Sequence, residues 1–127
     1  MMYNLKNKPI SILVVEDNHI DTLIVKTLLQ NHFNLETVST GQEALNIIEE
    51  IKFDIILMDI KLGHESLDGT TVMRIIKSND KYKHIKIFAV TAYAENETQF
   101  ITEGFDGLYV KPVIKEEIFE FLEKNMK

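Results

Sequence analysis

The chain has 127 residues, of which 45% are hydrophobic and none is cysteine, and its formal net charge is −6 at pH 7. This length predicts a single domain over residues 1–127, and the lack of cysteine excludes disulfides and thiolate metal sites. The acidic balance argues against direct nucleic-acid binding, and because no run reaches the roughly 20 apolar residues of a membrane helix and no secretion signal opens the chain, we expect a cytoplasmic protein.

Five short apolar runs alternate with helical patterns along the chain. The runs are "ISILVV" (10–15), "LETV" (35–38), "IILM" (55–58), "IKIFAV" (85–90) and "LYV" (108–110). Runs that are apolar on both faces are typical of a parallel sheet covered by helices on each side, whereas a half-exposed sheet shows strict alternation. The pattern therefore predicts an α/β fold of five strand–helix units, (βα)5.

Helical periodicity marks the face that each predicted helix turns toward the core. The marked residues are Ile20, Leu23, Ile24, Thr27 and Leu28 in the first helix, Ala44, Leu45, Ile48 and Ile51 in the second, Val72, Met73 and Ile76 in the third, and Ile114, Ile118, Phe121 and Leu122 in the last. A fourth helix is predicted before Gly104, which we expect in a left-handed conformation at the helix end. Thr40 and Asp17 are predicted to cap the helices that follow them.

Polar side chains follow four of the five predicted strands. They are Glu16 and Asp17 after the first strand, Asp59 after the third, Thr91 after the fourth, and Lys111, followed by Pro112, after the fifth. Each alone fits an ordinary role, such as a helix cap or a solvated surface residue. Ligands of parallel α/β sheets bind beyond the carboxyl ends of the strands, however, and independent caps would not place acids and a lysine together there. We therefore expect three carboxylates, a hydroxyl and an ammonium to converge on one rim.

Carboxylates at such a rim need a counter-charge. Two of them about 4 Å apart repel by roughly 4 kcal/mol at an effective dielectric near 20, which a raised pKa or a bound cation offsets. The chain has no cysteine, and its four histidines show no ligand spacing, so Mg²⁺ is favoured over zinc. Mg²⁺ binds one or two carboxylates together with phosphate oxygens, so the rim is a candidate site for phosphoryl transfer. Asp59 is then the candidate nucleophile that forms an aspartyl phosphate, with Lys111 neutralising the phosphoryl oxygens.

Four motifs resemble, in order and spacing, the receiver domain of bacterial two-component response regulators, over nearly the whole chain. "ILVVEDN" is similar to the acidic-pair motif, "IILMDI" to the phosphoacceptor strand, "AVTAYA" to the switch-threonine strand and "GFDGLYVKPV" to the closing strand with its Lys-Pro. The resemblance implies a flavodoxin-like, doubly wound parallel sheet of strand order 2-1-3-4-5. It also implies a signalling module without an output domain, which catalyses only its own phosphorylation and slow self-dephosphorylation.

The resemblance further implies the role of each rim residue. Asp59 would receive the phosphoryl group from a histidine kinase or a phosphotransfer protein. The groups that would hold Mg²⁺ are the side chains of Glu16, Asp17 and Asp59 and the backbone carbonyl of Lys61. Thr91 and Lys111 would contact the phosphoryl group, and the Lys111–Pro112 peptide bond is expected to be cis.

The output of such a domain is expected on the face formed by the fourth helix, the fifth strand and the fifth helix. A phosphoryl group that draws Thr91 inward is predicted to vacate space for Tyr109, the rotating aromatic, which shares a strand face with Lys111. Phe119 is predicted to lie on this output face. The expected partners there are a downstream target protein and, in a phosphorylation-dependent homodimer, a second copy of the chain.

One segment departs from the family pattern. Between Asp59 and Asp68-Gly69 the chain reads "IKLGHESL", which is longer than the family's usual loop and has no proline. Kinase specificity and phosphoryl lifetime therefore do not carry over from the family. Whether the chain stands alone or is a receiver excised from a larger regulator or hybrid kinase stays open at this point.

Three other functions fit parts of the sequence. A phosphatase of the haloacid dehalogenase type needs an acid two residues after the nucleophile, where Lys61 stands. A flavodoxin needs a hydroxyl- and glycine-rich phosphate loop after the first strand, which is missing. A receiver that serves only as a non-phosphorylated docking module would not be expected to keep the complete set of rim residues.

Overall fold

The computed structural model describes residues 3–5, 8–60 and 68–126. Its central sheet has five strands, which are β1 (Ser11–Val15), β2 (Asn34–Val38), β3 (Ile55–Asp59), β4 (Lys86–Thr91) and β5 (Gly107–Val110). Their order across the sheet is β2-β1-β3-β4-β5, and every neighbouring pair is parallel. The predicted flavodoxin-like α/β fold with strand order 2-1-3-4-5 is thus confirmed.

Five α-helices cover both faces of this sheet. They are α1 (His19–Leu29), α2 (Gly41–Glu50), α3 (Gly69–Lys77), α4 (Glu97–Glu103) and α5 (Lys115–Asn125), with short 3₁₀ turns at Asp80–Tyr82 and Ala94–Asn96. Buried residues of α1 and α5 pack on one face of the sheet, and those of α2, α3 and α4 pack on the other. In the described ranges, no helix combines the length and the apolar character needed to cross a membrane.

The core strands alternate between these two helical layers. Leu13 and Ile56 point to the layer of α2, α3 and α4, whereas Ile12 and Phe88 point to the layer of α1 and α5. All four are fully buried. Burial of one such side chain contributes about 1.5–3 kcal/mol, so strands packed on both faces give the polar residues at their carboxyl ends a rigid support.

The core-facing side of α1 differs from the predicted one. Ile20, Leu23 and Ile24 are 70%, 63% and 42% exposed, whereas Val25 and Leu29 are the buried residues of the helix. The predicted face is therefore wrong except at Leu28, which is half-buried against the same layer. Since "HIDTLIVKTLL" carries apolar side chains around much of its circumference, periodicity alone could not choose between two apolar stripes.

The helix ends follow the predictions with one exception. Thr40 caps α2 in a reciprocal capping box with Glu43, and Gly104 has a φ of 128° at the end of α4, as expected. The cap of α1, however, is Asn18, whose side chain accepts from the Asp21 N–H at 2.9 Å. Because Asn18 supplies the cap, the prediction of Asp17 in this role is wrong.

An N-terminal segment packs against α5. Asn4–Leu5 pairs antiparallel with Lys8–Pro9, and the ring of Tyr3 stacks on Phe119 at a centroid distance of 5.7 Å. Phe119 also contacts Phe33, which follows α1. Phe119 therefore faces the α1 side of the molecule, and its predicted place on the output face is wrong.

Candidate functional site

The carboxyl ends of β1 and β3 bring three acids together. Glu16 and Asp17 follow β1, and Asp59 is the last residue of β3. One carboxylate oxygen of each lies within 4.8 Å of one oxygen of the other two. The predicted convergence of acids on one rim is what the structure shows.

Glycine at the start of α3 lets this helix approach the end of β3. A Cβ atom on Gly69 would lie 2.5 Å from Cδ1 of Ile60 and 2.8 Å from Cγ of Met58. Asp68 caps the helix by accepting from the Thr71 N–H at 2.8 Å. The first turn of α3 thus packs directly on Met58 and Ile60, the two residues that flank Asp59.

Lys111 joins the acids from the end of β5. Its Nζ lies 2.6 Å from Oδ1 of Asp59, 3.0 Å from Oε1 of Glu16 and 3.2 Å from Oδ2 of Asp21. Burial alone lowers the pKa of the Lys111 ammonium, but the hydrogen bonds to Asp59 and Glu16 outweigh burial and raise it above its usual range. The side chain is therefore a permanent positive charge at physiological pH.

Asp21 is a site residue that sequence reasoning missed. It lies in the first turn of α1 and is separated from Lys111 by 90 positions. Its place one turn beyond the acidic pair gave a weak signal, because such a residue reads equally well as an acid that favours a helix N-terminus. Only the packing of α1 beside the end of β5 shows the contact.

Glu16 is the most buried acid of the rim. Burial raises the pKa of its carboxyl above the ordinary value, and the charge of Asp59 raises it further, while hydrogen bonds from the Asn18 N–H and Lys111 act in the opposite direction. A carboxyl with a raised pKa is a group whose ionised form the site disfavours. A cation among these acids would remove that penalty.

Carboxylate oxygens are the hard ligands that Mg²⁺ binds, and the cluster contains neither histidine nor a softer donor. The donor set therefore fits Mg²⁺, with Glu16, Asp17 and Asp59 as the residues that would hold it. The predicted fourth protein ligand, the carbonyl of Lys61, lies outside the described residues. So do residues 61–67, which make up most of the long segment that differs from the family pattern.

Thr91 and Tyr109 lie on opposite faces of the sheet. Thr91 is 1% exposed and its Oγ1 accepts from the Tyr93 N–H at 3.2 Å. β4 and β5 pair with Val90 opposite Tyr109, and both of these residues pack in the layer of α1 and α5. Thr91, one residue further, points to the other layer by the alternation of strand side chains.

The hydroxyl of Tyr109 binds the segment that follows Lys111. It donates to the carbonyl of Pro112 at 3.3 Å and accepts from the Ile114 N–H at 3.1 Å. The Lys111–Pro112 bond is cis, as expected. The shared face of Tyr109 and Lys111 agrees with the prediction, but a direct exchange of space between Thr91 and Tyr109 does not fit this geometry.

Comparisons with known sequences show which family the chain resembles. The sequence model of the family described as "Response regulator receiver domain" matches residues 12–123. "Polar-differentiation response regulator DivK" of Brucella anthropi is 36% identical over 109 residues, covering 83% of this chain and 86% of that protein. "Hybrid signal transduction histidine kinase I" of Dictyostelium discoideum is 34% identical over 134 residues, which cover 92% of this chain but only 8% of that protein.

Solved structures show the same fold. Chemotaxis protein CheY4 of Vibrio cholerae superposes with a TM-score of 0.80 at 24% identity, covering 91% of this chain and 97% of its own. The receiver domain of the sensor histidine kinase PA1611 of Pseudomonas aeruginosa gives a TM-score of 0.78 at 27% identity, covering 90% and 94%. That structure is described with a magnesium ion coordinated in its active site cleft.

Proposed function

Because this chain belongs to the response regulator receiver domain family, we propose that it accepts a phosphoryl group on Asp59 in a two-component phosphorelay, with Mg²⁺ as its metal. The observation that carries the proposal is the position of Asp59, which ends a buried strand within 2.6 Å of the Lys111 ammonium and beside two further acids. The magnesium ion described for the PA1611 receiver domain supports the choice of metal.

The chemistry follows from the charges at the rim. A carboxylate oxygen of Asp59 attacks the phosphorus atom, and the bond from phosphorus to the nitrogen of a donor histidine breaks, with its electron pair left on that nitrogen. Lys111 leaves Asp59 and binds a phosphoryl oxygen, and Thr91 donates its hydroxyl hydrogen to another. Mg²⁺, when bound by Glu16, Asp17 and Asp59, supplies further positive charge against the phosphoryl oxygens.

Incubation of the protein with acetyl phosphate tests the proposal without any knowledge of the natural donor. In the presence of Mg²⁺, intact mass spectrometry is expected to show the addition of one phosphoryl group. Chelation of the metal with EDTA should prevent it. Steady release of inorganic phosphate from phosphomonoesters would instead favour a phosphatase.

The natural donor must bring a phosphohistidine to Asp59, and so must contact the surface around the rim. The exposed apolar residues Ile20, Leu23 and Ile24 project from α1, the helix whose first turn contacts Lys111 through Asp21. Clustered exposed apolar side chains mark protein-binding surfaces. We propose that this α1 patch, residues Ile20, Leu23 and Ile24, contacts a histidine kinase or a phosphotransfer protein.

Replacing Leu23 by Ser tests the α1 patch. Transfer from a purified phosphohistidine-carrying phosphotransfer domain should slow by roughly tenfold, since a contact that loses about 1–2 kcal/mol weakens binding by that order. Phosphorylation by acetyl phosphate should stay unchanged, because this small donor needs no docking surface. Both rates are measured by phosphate-affinity gel electrophoresis.

Ile75→Ser is the matched control, since Ile75 is 44% exposed but lies on α3, which packs on the other face of the sheet. It should transfer at the parent rate. Equal slowing in both variants would exclude a specific role of the α1 patch.

The switch of Thr91 and Tyr109 is proposed to run through the backbone around Lys111. The Lys111 N–H donates to the Thr91 carbonyl at 2.7 Å, and the Tyr109 hydroxyl binds the residues on the other side of Lys111. Movement of Lys111 toward a phosphoryl group would therefore pull on the backbone of Thr91 and on the residues that the Tyr109 hydroxyl binds. The proposed output surface is the face of α4, β5 and α5, where a target protein or a second copy binds.

Tyr109→Phe removes the hydroxyl and tests this path. Sedimentation velocity of the parent with Mg²⁺ and beryllofluoride, a phosphoryl mimic, is expected to show self-association, and Tyr109→Phe should show less because its link to residues 112–114 is lost. Tyr82→Phe, which removes a hydroxyl beyond α3, should behave as the parent. Equal association of all three proteins with the mimic would exclude Tyr109 from the switch.

The relatives fall into two groups by length, because the chain spans most of DivK but a small fraction of the hybrid kinase. As a receiver, the chain is in either case a signalling module and not a conventional enzyme. The length of the full gene product decides between a free-standing regulator and a receiver within a larger protein.

A further inference from the structure

The ammonium of Lys111 has a third carboxylate partner beyond the residues of the proposed metal site. Oδ2 of Asp21 lies 3.2 Å from Nζ, and the Asp21 side chain is 40% exposed. The three acids that could share a metal ion are Glu16, Asp17 and Asp59, and Asp21 is not among them. Asp21 therefore contacts Lys111 without competing for the metal.

Metal binding changes what holds Lys111. Glu16 and Asp59 are partners of Lys111 and are also members of the metal cluster. When a divalent cation takes oxygens of these two acids, their attraction for the ammonium falls and the cation itself repels it. Asp21 then remains as the one partner of Lys111, among those in the described part of the chain, that the metal does not share.

Phosphorylation of Asp59 changes again which negative groups hold the Lys111 ammonium. A phosphoryl group on Asp59 needs the Lys111 ammonium, and the carboxylate of Asp21 competes for the same charge. A cavity of about 320 Å³, lined by Asp21 and Ile24 of α1, by Asp59 and by Lys111 and Val113, gives the side chain of Lys111 space in which to move. The ammonium can thus pass between Asp21 and the phosphoryl oxygens over a short distance.

We propose that Asp21 is a positioning residue for Lys111, which holds the ammonium at the rim while the metal binds and then competes with the phosphoryl group for it. This inference rests on the proposed function of Asp59 as the phosphoryl acceptor. It assigns to α1 a part in setting how strongly the site retains a phosphoryl group.

Asp21→Asn separates the effect of Asp21 on metal binding from its effect on the phosphoryl group, because the two effects have opposite signs. Loss of a negative charge should raise the Mg²⁺ concentration at half saturation and, with Mg²⁺ saturating, lower the beryllofluoride concentration at half saturation. A unit charge about 6 Å away, acting through water, changes a binding constant by roughly threefold, which is the size expected in each case. Both constants are read from the backbone amide shift of Lys111 in ¹H–¹⁵N NMR titrations.

Two further variants are the controls. Asp21→Glu keeps the charge and should stay within the parent's range for both constants. Glu116→Gln removes an exposed acid from the first turn of α5, as Asp21→Asn removes one from the first turn of α1, so it reproduces the loss of a favourable helix-end charge. It should leave both constants unchanged.

Several outcomes would overturn the inference. Unchanged constants in Asp21→Asn would show that the contact with Lys111 has no effect on the site. Weaker binding of both Mg²⁺ and beryllofluoride, together with a lower melting temperature, would show that Asp21 has a merely structural role in α1. If the parent binds Mg²⁺ but no beryllofluoride, the proposed function fails, and the Mg²⁺ titration alone then decides whether Asp21 acts on the rim.

Discussion

Asp59→Asn is expected to abolish phosphorylation by acetyl phosphate while leaving the protein folded. Asparagine matches the size of the aspartate, but its amide oxygen is too weak a nucleophile to form the acyl phosphate. Asp59 is also the acid that lies nearest to the Lys111 ammonium, at 2.6 Å, so no other carboxylate of the rim has the same support for an added phosphoryl group. Intact mass spectrometry should show no adduct under conditions in which the parent is fully labelled.

Asp54→Asn supplies a matched control at the opposite end of the same strand. Asp54 precedes β3, and its Oδ2 accepts from the Ser11 N–H at 2.9 Å, a bond that an asparagine oxygen can also accept. This variant should be labelled as the parent is. A phosphoryl group that persisted in Asp59→Asn would refute the assignment, and peptide mapping would then identify the true acceptor.

The fold and most of the rim could be predicted from the sequence because they depend on local patterns. Apolar runs of three to six residues predict the five strands, and the residue after each run is a carboxyl-end residue whatever the details of packing. Glu16, Asp59 and Lys111 were therefore placed on one rim by topology alone. The positive φ of Gly104 could likewise be predicted locally, because glycine adopts this conformation without steric cost.

Apart from the cap of α1, which differs from the prediction by one residue, the features that sequence reasoning missed depend on which neighbour a residue meets. Periodicity alone favours the outward stripe of α1 as readily as the buried one because both are apolar, and only packing on the sheet selects Val25 and Leu29. The sequence pattern predicts Phe119 on the output face, since no local feature indicates that the ring of Tyr3 stacks on it.

The opposite faces of Thr91 and Tyr109 follow from the register of two strands. Thr91 pairs with Val110, so Tyr109 lies beside Val90 on the other face. A shift of one residue in this register would reverse the faces, and no turn between β4 and β5 fixes it locally, since a helix connects them. The contact of Lys111 with Asp21 depends in the same way on tertiary packing.

Mg²⁺ is expected to raise the melting temperature of the protein by roughly 10 °C. A ligand that binds only the folded state stabilises it by about 2.7 kcal/mol at 100 times its Kd, and 1 kcal/mol corresponds to about 4 °C for a domain of this size. Because burial and the charge of Asp59 raise the pKa of Glu16, the metal-free folded protein binds this proton more tightly than the unfolded chain does. The stability that this tighter proton binding contributes is lost as the pH rises through the raised pKa of Glu16. The metal, in contrast, binds Glu16 in its ionised form.

The rise in melting temperature should therefore grow with pH across the acidic range and level off once Glu16 is ionised. Asp17→Asn should reduce the rise strongly, and its metal-free form should melt at or above the parent's temperature because one charge of the acidic cluster is gone. Asp80→Asn removes an acid that is 95% exposed and distant from the cluster, and should respond to Mg²⁺ as the parent does. Differential scanning calorimetry with EDTA or Mg²⁺ measures each case, and an unchanged parent melting curve on addition of Mg²⁺ would exclude a metal site at Glu16, Asp17 and Asp59.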